Sequence, residues 1–454
     1  MVATKSSLGG IKACRIHDLL RLLCLKKACE ENFLASIYGK VCFPGESPSR
    51  LFVDIGFFGR YCTERPYPRN LVSFLCFSRN NDDFENPVSA LDFARDCELL
   101  RIFSYTSTNY KLCPFRNEHQ IDHLVHLRYL AFQSGYHWFS KTRFSGILNL
   151  ETLILKNRAP DNIALSWDVL KMVKLRHLYS KEVLFQWHNS LPSSDSCSLK
   201  LDSLQTLKPM CGCAKCQKFL TRTPNLKKLG VYGNYGDLIS EDGTWMLPNL
   251  ESLECLETLR LAHFMDKMIE DALIIPLQAG LKLPSTIKQL TLKYTNLKWE
   301  HLSILLTALP NLEVLKLLVL AAHGPVWDTS EVEQFSKIKY LRLANLDIKE
   351  WIVGDDQFPK LEVLVVRYCL NLIEIPNNFY ELNELREIEV TSSSRSAEES
   401  ANEIVKEQED NRGDDACSKL LLSNNGLGVI PMSDRLNRIN RTRPAKEIHN
   451  KQRR

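Results

Sequence analysis

Apolar residues recur along this chain in a hexamer, L-x-x-L-x-L, whose last four positions alternate in the manner of a short strand with one buried face. The first leucine fills a bend and the next two point inward. The unit is read as LRYLAF from Leu127, LETLIL from Leu150, LRHLYS from Leu175, LQTLKP from Leu204, LKKLGV from Leu226 and LETLRL from Leu256. It continues as IKQLTL from Ile287, LEVLKL from Leu312, IKYLRL from Ile338, LEVLVV from Leu361 and LREIEV from Leu385. Weaker copies start at Leu71 and Leu100, and a further strand is expected near Leu51.

Successive units lie 22 to 31 residues apart, with a mean of about 26, which is the spacing of leucine-rich repeats. After each strand the chain must return over the outer side in about twenty residues. Segments such as WEHLSILLTALPNL, Trp299 to Leu312, have the helical spacing to do so. No single unit covers its own apolar side, so neighbours must stack. The predicted fold is α/β, a leucine-rich-repeat solenoid with a parallel sheet on its concave face. Cys369, Leu372, Ile375 and Pro376 extend one unit into a longer consensus, with a thiol at the turn and a proline closing the return.

The pattern divides the chain into a short helical segment over 1–45, repeats over 46–390 and a polar tail over 391–454. TSSSRSAEESANEIVKEQEDNRGDDA is so polar that disorder is expected, with one short helix over 401–409. The basic end, RTRPAKEIHNKQRR, is read as a solvated tail, with nuclear import or phosphate contact as the sharper alternative.

Candidate chemistry lies on the strand positions that face solvent. The second-position column runs Arg128, Glu151, Arg176, Gln205, Lys227, Glu257, Lys288, Glu313, Lys339, Glu362 and Arg386, so acids and bases adjoin and are expected to pair laterally. The fifth-position column is one-sided, with Lys208, Arg260, Lys316 and Arg342 before its first acid, Glu389. It is a candidate for an acidic partner surface. Tyr129, His177 and Tyr340 at third positions supply the aromatic character that interfaces favour.

Composition changes little in this reading. The formal net charge of +4 over 454 residues gives no reason to expect nucleic acid, and no apolar run reaches the length of a transmembrane segment. MVATKSSLGGIK lacks the apolar core of a secretion signal, so a cytoplasmic location is expected. The 15 cysteines are scattered. Cys211, Cys213 and Cys216, with Cys197 or a distant histidine, make the one zinc candidate, but zinc sites usually combine two separated pairs. Reduced thiols in a return loop are the favoured reading. Neither a G-x-x-x-x-G-K-[ST] phosphate loop nor a nucleophile at a strained turn is present, so no enzyme is expected.

CRIHDLLRLLCLKKACEENF, Cys14 to Phe33, followed by repeats of irregular length, resembles the junction between nucleotide-binding module and repeats in plant intracellular disease-resistance receptors, the NLR proteins. The likeness is to the coiled-coil type that includes the late blight resistance group, and RTPNLKKLGVYG and ANEIVKEQED share in it. In that family a Met-His-Asp motif ends the module, and its histidine approaches the β-phosphate of bound ADP. Ile16, His17 and Asp18 match the motif, with isoleucine for methionine. The phosphate loop and magnesium-binding strand have no counterpart here, so His17 and Asp18 are half a site and no ADP or ATP is expected on this chain. The resemblance implies that the repeats bind proteins: a pathogen effector, a guarded host protein, or the nucleotide-binding module of a related receptor. A substrate adaptor of a ubiquitin ligase is the alternative. Asp18 is expected to cap the helix that follows, and the face formed by Leu19, Leu20, Leu23 and Ala28 is expected to lie under the first repeats.

Overall fold

The computed structural model describes residues 2–5, 11–38, 41–42, 49–54, 70–77, 97–106, 121, 123–134, 146–157, 163–165, 167–180, 185–187, 199–211, 218–233, 249–263, 282–412 and 419–422. Sixteen strands stack in chain order into one parallel ladder. The first half comprises β1 (Ala35–Tyr38), β2 (Arg50–Asp54), β3 (Ser73–Phe77), β4 (Ile102–Thr106), β5 (Tyr129–Ser134), β6 (Thr152–Asn157), β7 (His177–Ser180) and β8 (Thr206–Cys211). The second half comprises β9 (Lys228–Gly233), β10 (Thr258–His263), β11 (Gln289–Lys293), β12 (Val314–Leu318), β13 (Tyr340–Ala344), β14 (Val363–Arg367), β15 (Glu387–Thr391) and β16 (Lys419–Leu422). This is the expected leucine-rich-repeat solenoid.

The hexamer dictates the packing. First-position Leu127, Leu150, Leu226 and Leu361 and fourth-position Leu130, Leu153, Leu229 and Leu364 are fully buried, as are sixth-position Leu155, Leu261, Leu292 and Leu343. Each such leucine removed from water contributes about 1.5–3 kcal/mol. The second position holds the ladder in register through its backbone. The carbonyl of Arg128 accepts from the N–H groups of both Glu151 and Thr152 at 2.8 and 2.9 Å, and the carbonyl of Lys339 accepts from Glu362 and Val363 at 2.8 and 3.0 Å. Side chains at that position are therefore free to vary.

Returns differ from repeat to repeat. α2 (Trp299–Thr307) is the helix its spacing predicts, and it buries Leu302, Leu305 and Leu306. On the return side Trp299, Trp327 and Trp351 stack in three consecutive repeats, with ring centroids 4.9 and 5.3 Å apart. The extended unit also packs as read: Cys369, Leu372 and Ile375 are buried, and burial pushes the Cys369 thiol up to about 11.

Regular structure reaches beyond 46–390 at both ends. β1 already pairs with β2 through Ala35 and Leu51, inside the segment assigned to the helical remnant. At the other end α3 (Arg395–Arg412) replaces the expected disorder over much of the tail's first part and is longer than the helix expected over 401–409. It is polar on average but carries a stripe at helical spacing, Ala397, Ala401, Ile404, Val405 and Gln408, all buried. Gln408 Nε2 donates to the carbonyls of Phe379 and Leu382 at 3.3 and 3.4 Å. α3 is thus the return segment of one more repeat, and β16 is that repeat's strand. The basic terminal run lies outside the described residues.

The N-terminal helix departs from expectation in two ways. α1 (Asp18–Glu30) starts one residue after its cap, and the cap is His17, whose Nδ1 accepts from the Leu19 N–H at 3.3 Å, while Asp18 is the first helical residue. The apolar side chains are not covered either: Leu19 is 72% exposed, Leu23 55% and Leu20 52%. None of the side chains of α1 is buried.

Candidate functional site: the concave face

On the open side of the ladder alternation along each strand sets three rows of side chains, most of which reach solvent, with Val314, Val365, Ala262 and Ala344 buried among them. The third-position row runs through Tyr129, Thr152, His177, Thr206, Lys228, Thr258, Gln289, Val314, Tyr340, Val363 and Glu387. From β9 onward the fifth-position row is Gly230, Arg260, Thr291, Lys316, Arg342, Val365 and Glu389. Two residues further along the strands come Tyr232, Ala262, Lys293, Leu318, Ala344, Arg367 and Thr391.

The structure separates the candidate residues into groups. Tyr129 on β5 and His177 on β7 lie two strands apart, and Tyr340 is eight strands from Tyr129, about 38 Å at the usual strand spacing. His177 Nδ1 lies 3.2 Å from Thr206 Oγ1 on the next strand, and burial, followed by Lys228 and Arg176, lowers its pKa. Burial raises the phenol of Tyr129. Around β12 and β13 the candidates do come together: Lys316 Nζ stands 5.2 Å from the ring centroid of Tyr340, and Arg342 adjoins Lys316 in register. Arg342 Nε is buried without a hydrogen-bond partner. The acids begin at the next repeats, where Arg367 pairs with Glu389.

Arg260 belongs to a different group, one that the hexamer columns do not reveal. Its guanidinium lies 5.5 Å from the ring centroid of Tyr232. Lys208 reaches toward the same strand from the other side, and its pKa falls to about 8 through burial, then through Lys228 and Arg260. Lys293 is lowered by burial and by Arg260. Lys228, Tyr232 and Lys293 were not among the sequence candidates, since Lys228 is a charged third position and the other two lie one residue past the hexamer. The six-residue strands β9 and β10 carry the alternation one step beyond the motif, and that length was the available signal.

The second-position ladder pairs laterally at Arg128–Glu151 (3.7 Å), Lys288–Glu257 (3.0 Å) and Lys339–Glu313 (3.9 Å). These pairs are wholly or partly exposed and contribute little to stability. Among the described residues no group of three or more His, Cys, Asp or Glu side chains could hold a metal. Cys197, Cys213 and Cys216 lie outside those residues, and of Cys211 only the backbone is described. No helix among the described residues is long and apolar enough to cross a membrane. His17 and Asp18 stand at the exposed start of α1, away from the sheet rows.

No family model matches the chain. Among curated proteins it is 32% identical to one late blight resistance protein homolog of Solanum demissum over 423 residues, 89% of this chain and 51% of that protein. Two further late blight resistance protein homologs of the same organism are each 30% identical, over 430 and 418 residues; each alignment covers 88% of this chain and 30% of the relative. The chain is a relative of the late blight resistance proteins. Its repeats are thus a resistance-protein leucine-rich-repeat region, and the chain spans about half the length of the first of these relatives and about a third of the other two. Across this resistance-protein ladder, cations and aromatics occupy solvent-facing positions between β7 and β13, and leucines fill the buried rows.

Proposed function

We propose that this chain is the non-catalytic protein-recognition region of a cytoplasmic plant immune receptor, binding a pathogen effector or a guarded host protein with its concave face. Its repeats also restrain the nucleotide switch by holding the nucleotide-binding module of such a receptor. The observation that carries the reading is the contiguous surface of Lys316, Tyr340 and Arg342, where two cations flank a half-buried aromatic ring on adjacent strands. Such a surface suits a partner that brings carboxylates and an apolar anchor together.

The test is binding of the purified chain to a co-expressed nucleotide-binding module of a related receptor and to candidate effectors, measured by interferometry. Charge reversal of Arg260, Lys316 and Arg342 together is expected to abolish effector binding and leave the fold intact by circular dichroism. Retained binding by the triple variant would refute the assignment of the concave face. A folded chain that binds no receptor module would refute the restraint role.

A further inference from the structure

Among the described residues, four cations gather around one strand, β9. That strand presents Lys228, Gly230 and Tyr232 to the open side. From β8, Lys208 leans across it: a Cβ placed on Gly230 would stand 3.2 Å from Lys208 Cγ, so the absence of a side chain at 230 is what lets the lysine stem lie there. The ladder register shifts between Leu207 and Met210, which places Lys208 at the irregular point. From β10, Arg260 leans back over the same strand onto Tyr232. Lys293, on β11, lies on the far side of Arg260 and is lowered by burial and then by Arg260.

Among the described residues none of Lys208, Lys228, Arg260 or Lys293 pairs with a carboxylate, and Arg260 Nε is buried with no hydrogen-bond partner. A cluster of like charges with an unused donor is costly unless an anion completes it. We propose that this cluster is a binding site for a free, multiply phosphorylated small molecule, held by Lys208, Lys228, Arg260 and Lys293 over the face of β9.

Charge density selects phosphate over a peptide carboxylate. Four cations share a patch of about 14 by 13 Å, given strands about 4.8 Å apart and rows about 6.6 Å apart. An extended acidic segment carries one carboxylate per face about every 6.6 Å and would set about two charges there. A polyphosphate brings four or more, and the guanidinium fork matches its oxygens. The Tyr232 ring holds the guanidinium plane in place. Because Lys208 is lowered to about 8 by its surroundings, an anion that favours its charged form draws a proton onto it as it binds. The site adjoins the protein-recognition surface, since β11 pairs with the strand that carries Lys316, and shares only Arg260 with the residues tested above.

The experiment is isothermal titration calorimetry of the full chain with sodium tripolyphosphate at physiological salt, in buffers of different ionisation enthalpy. Saturable binding at one site per chain is expected, with proton uptake near pH 8. Arg260→Gln and Lys208→Met should each weaken it by roughly 10-fold or more, the ratio that loss of a charge-assisted hydrogen bond gives. Lys208→Met should also remove the proton uptake. Lys228→Ala changes an exposed residue and keeps the test decisive if the half-buried variants disturb the sheet; it too should weaken binding, while Lys337→Ala on the flank should not. Absence of saturable binding, or binding indifferent to Arg260→Gln and Lys228→Ala, would overturn the proposal. So would an octaglutamate peptide that binds as tightly as tripolyphosphate through the same residues.

Discussion

Trp327→Ala removes the middle ring of a three-layer stack. The Trp327 side chain is fully buried, its ring tilted 18° from that of Trp299 and 4° from that of Trp351, and its Nε1 donates to Ser303 Oγ at 3.4 Å. An indole removes about 200 Å² from water, so at about 25 cal/mol per Å² the transfer loss alone is about 5 kcal/mol, an upper bound. Measured truncations of this kind cost about 3–5 kcal/mol, and an expected loss of about 4 kcal/mol lies inside both limits. Each stacked neighbour adds coupling of about 0.5–1.5 kcal/mol, so the double-mutant cycle with Trp299→Ala should be non-additive by that amount. Since each repeat touches only its neighbours, the damage should stay local. Urea unfolding followed by hydrogen exchange tests this: protection should fall over Val326–Asp328, Glu350–Ile352 and α2 and persist in β5 and β6. A cost below about 1.5 kcal/mol, or protection lost evenly along the ladder, would refute the reasoning. Trp327→Phe keeps a ring in the stack; if it costs as much as alanine, stacking is not what holds these returns together.

Lys208 is lowered from 10.5 to about 8, so between those values the unfolded chain binds the extra proton and stability rises with pH. Lys208→Met should therefore be the more stable protein at pH 7, by about 1–2 kcal/mol after allowing for solvent screening, and the gain should vanish above the unfolded value; urea midpoints across the range check this. Ile404→Asp places a charge on the buried stripe of α3 and should cost about 3 kcal/mol, with exchange protection lost first in β15. Glu389→Gln weakens the pair with Arg367 on adjacent strands and should cost about 1 kcal/mol in thermal unfolding, less as salt is raised. His17→Ala removes the cap of α1 and should reduce local helix protection without moving the unfolding of the repeats, because α1 buries none of its side chains.

The hexamer made the ladder legible because one residue type at a fixed spacing has to be buried, and nearly every leucine at positions one, four and six is. What it left out was decided by groupings that no average records. The tail's polar composition hid the stripe from Ala397 to Gln408, whose spacing was readable all along. The run of leucines after His17 invited the opposite error, since a cluster of apolar residues is not a face until something packs on it, and Leu19 and Leu23 remain exposed. The tryptophans at 299, 327 and 351 recur at about the repeat period and signalled a stacked ladder in the returns, where attention to strand positions did not look.

The candidate site shows the same limit more sharply. Columns of equivalent positions treat a repeat protein as a uniform lattice, and on a uniform lattice Lys208 and Arg260 stand two strands apart with Gly230 as a gap between them. In the structure the gap is the meeting point. Lys208 lies over the glycine because the register is irregular beside it, and Arg260 turns toward β9 because Tyr232, one step past the motif, offers a ring to lie on. Repeats supply a surface that is the same everywhere. Departures from the repeat, a missing Cβ and a displaced lysine, concentrate charge at one point of it.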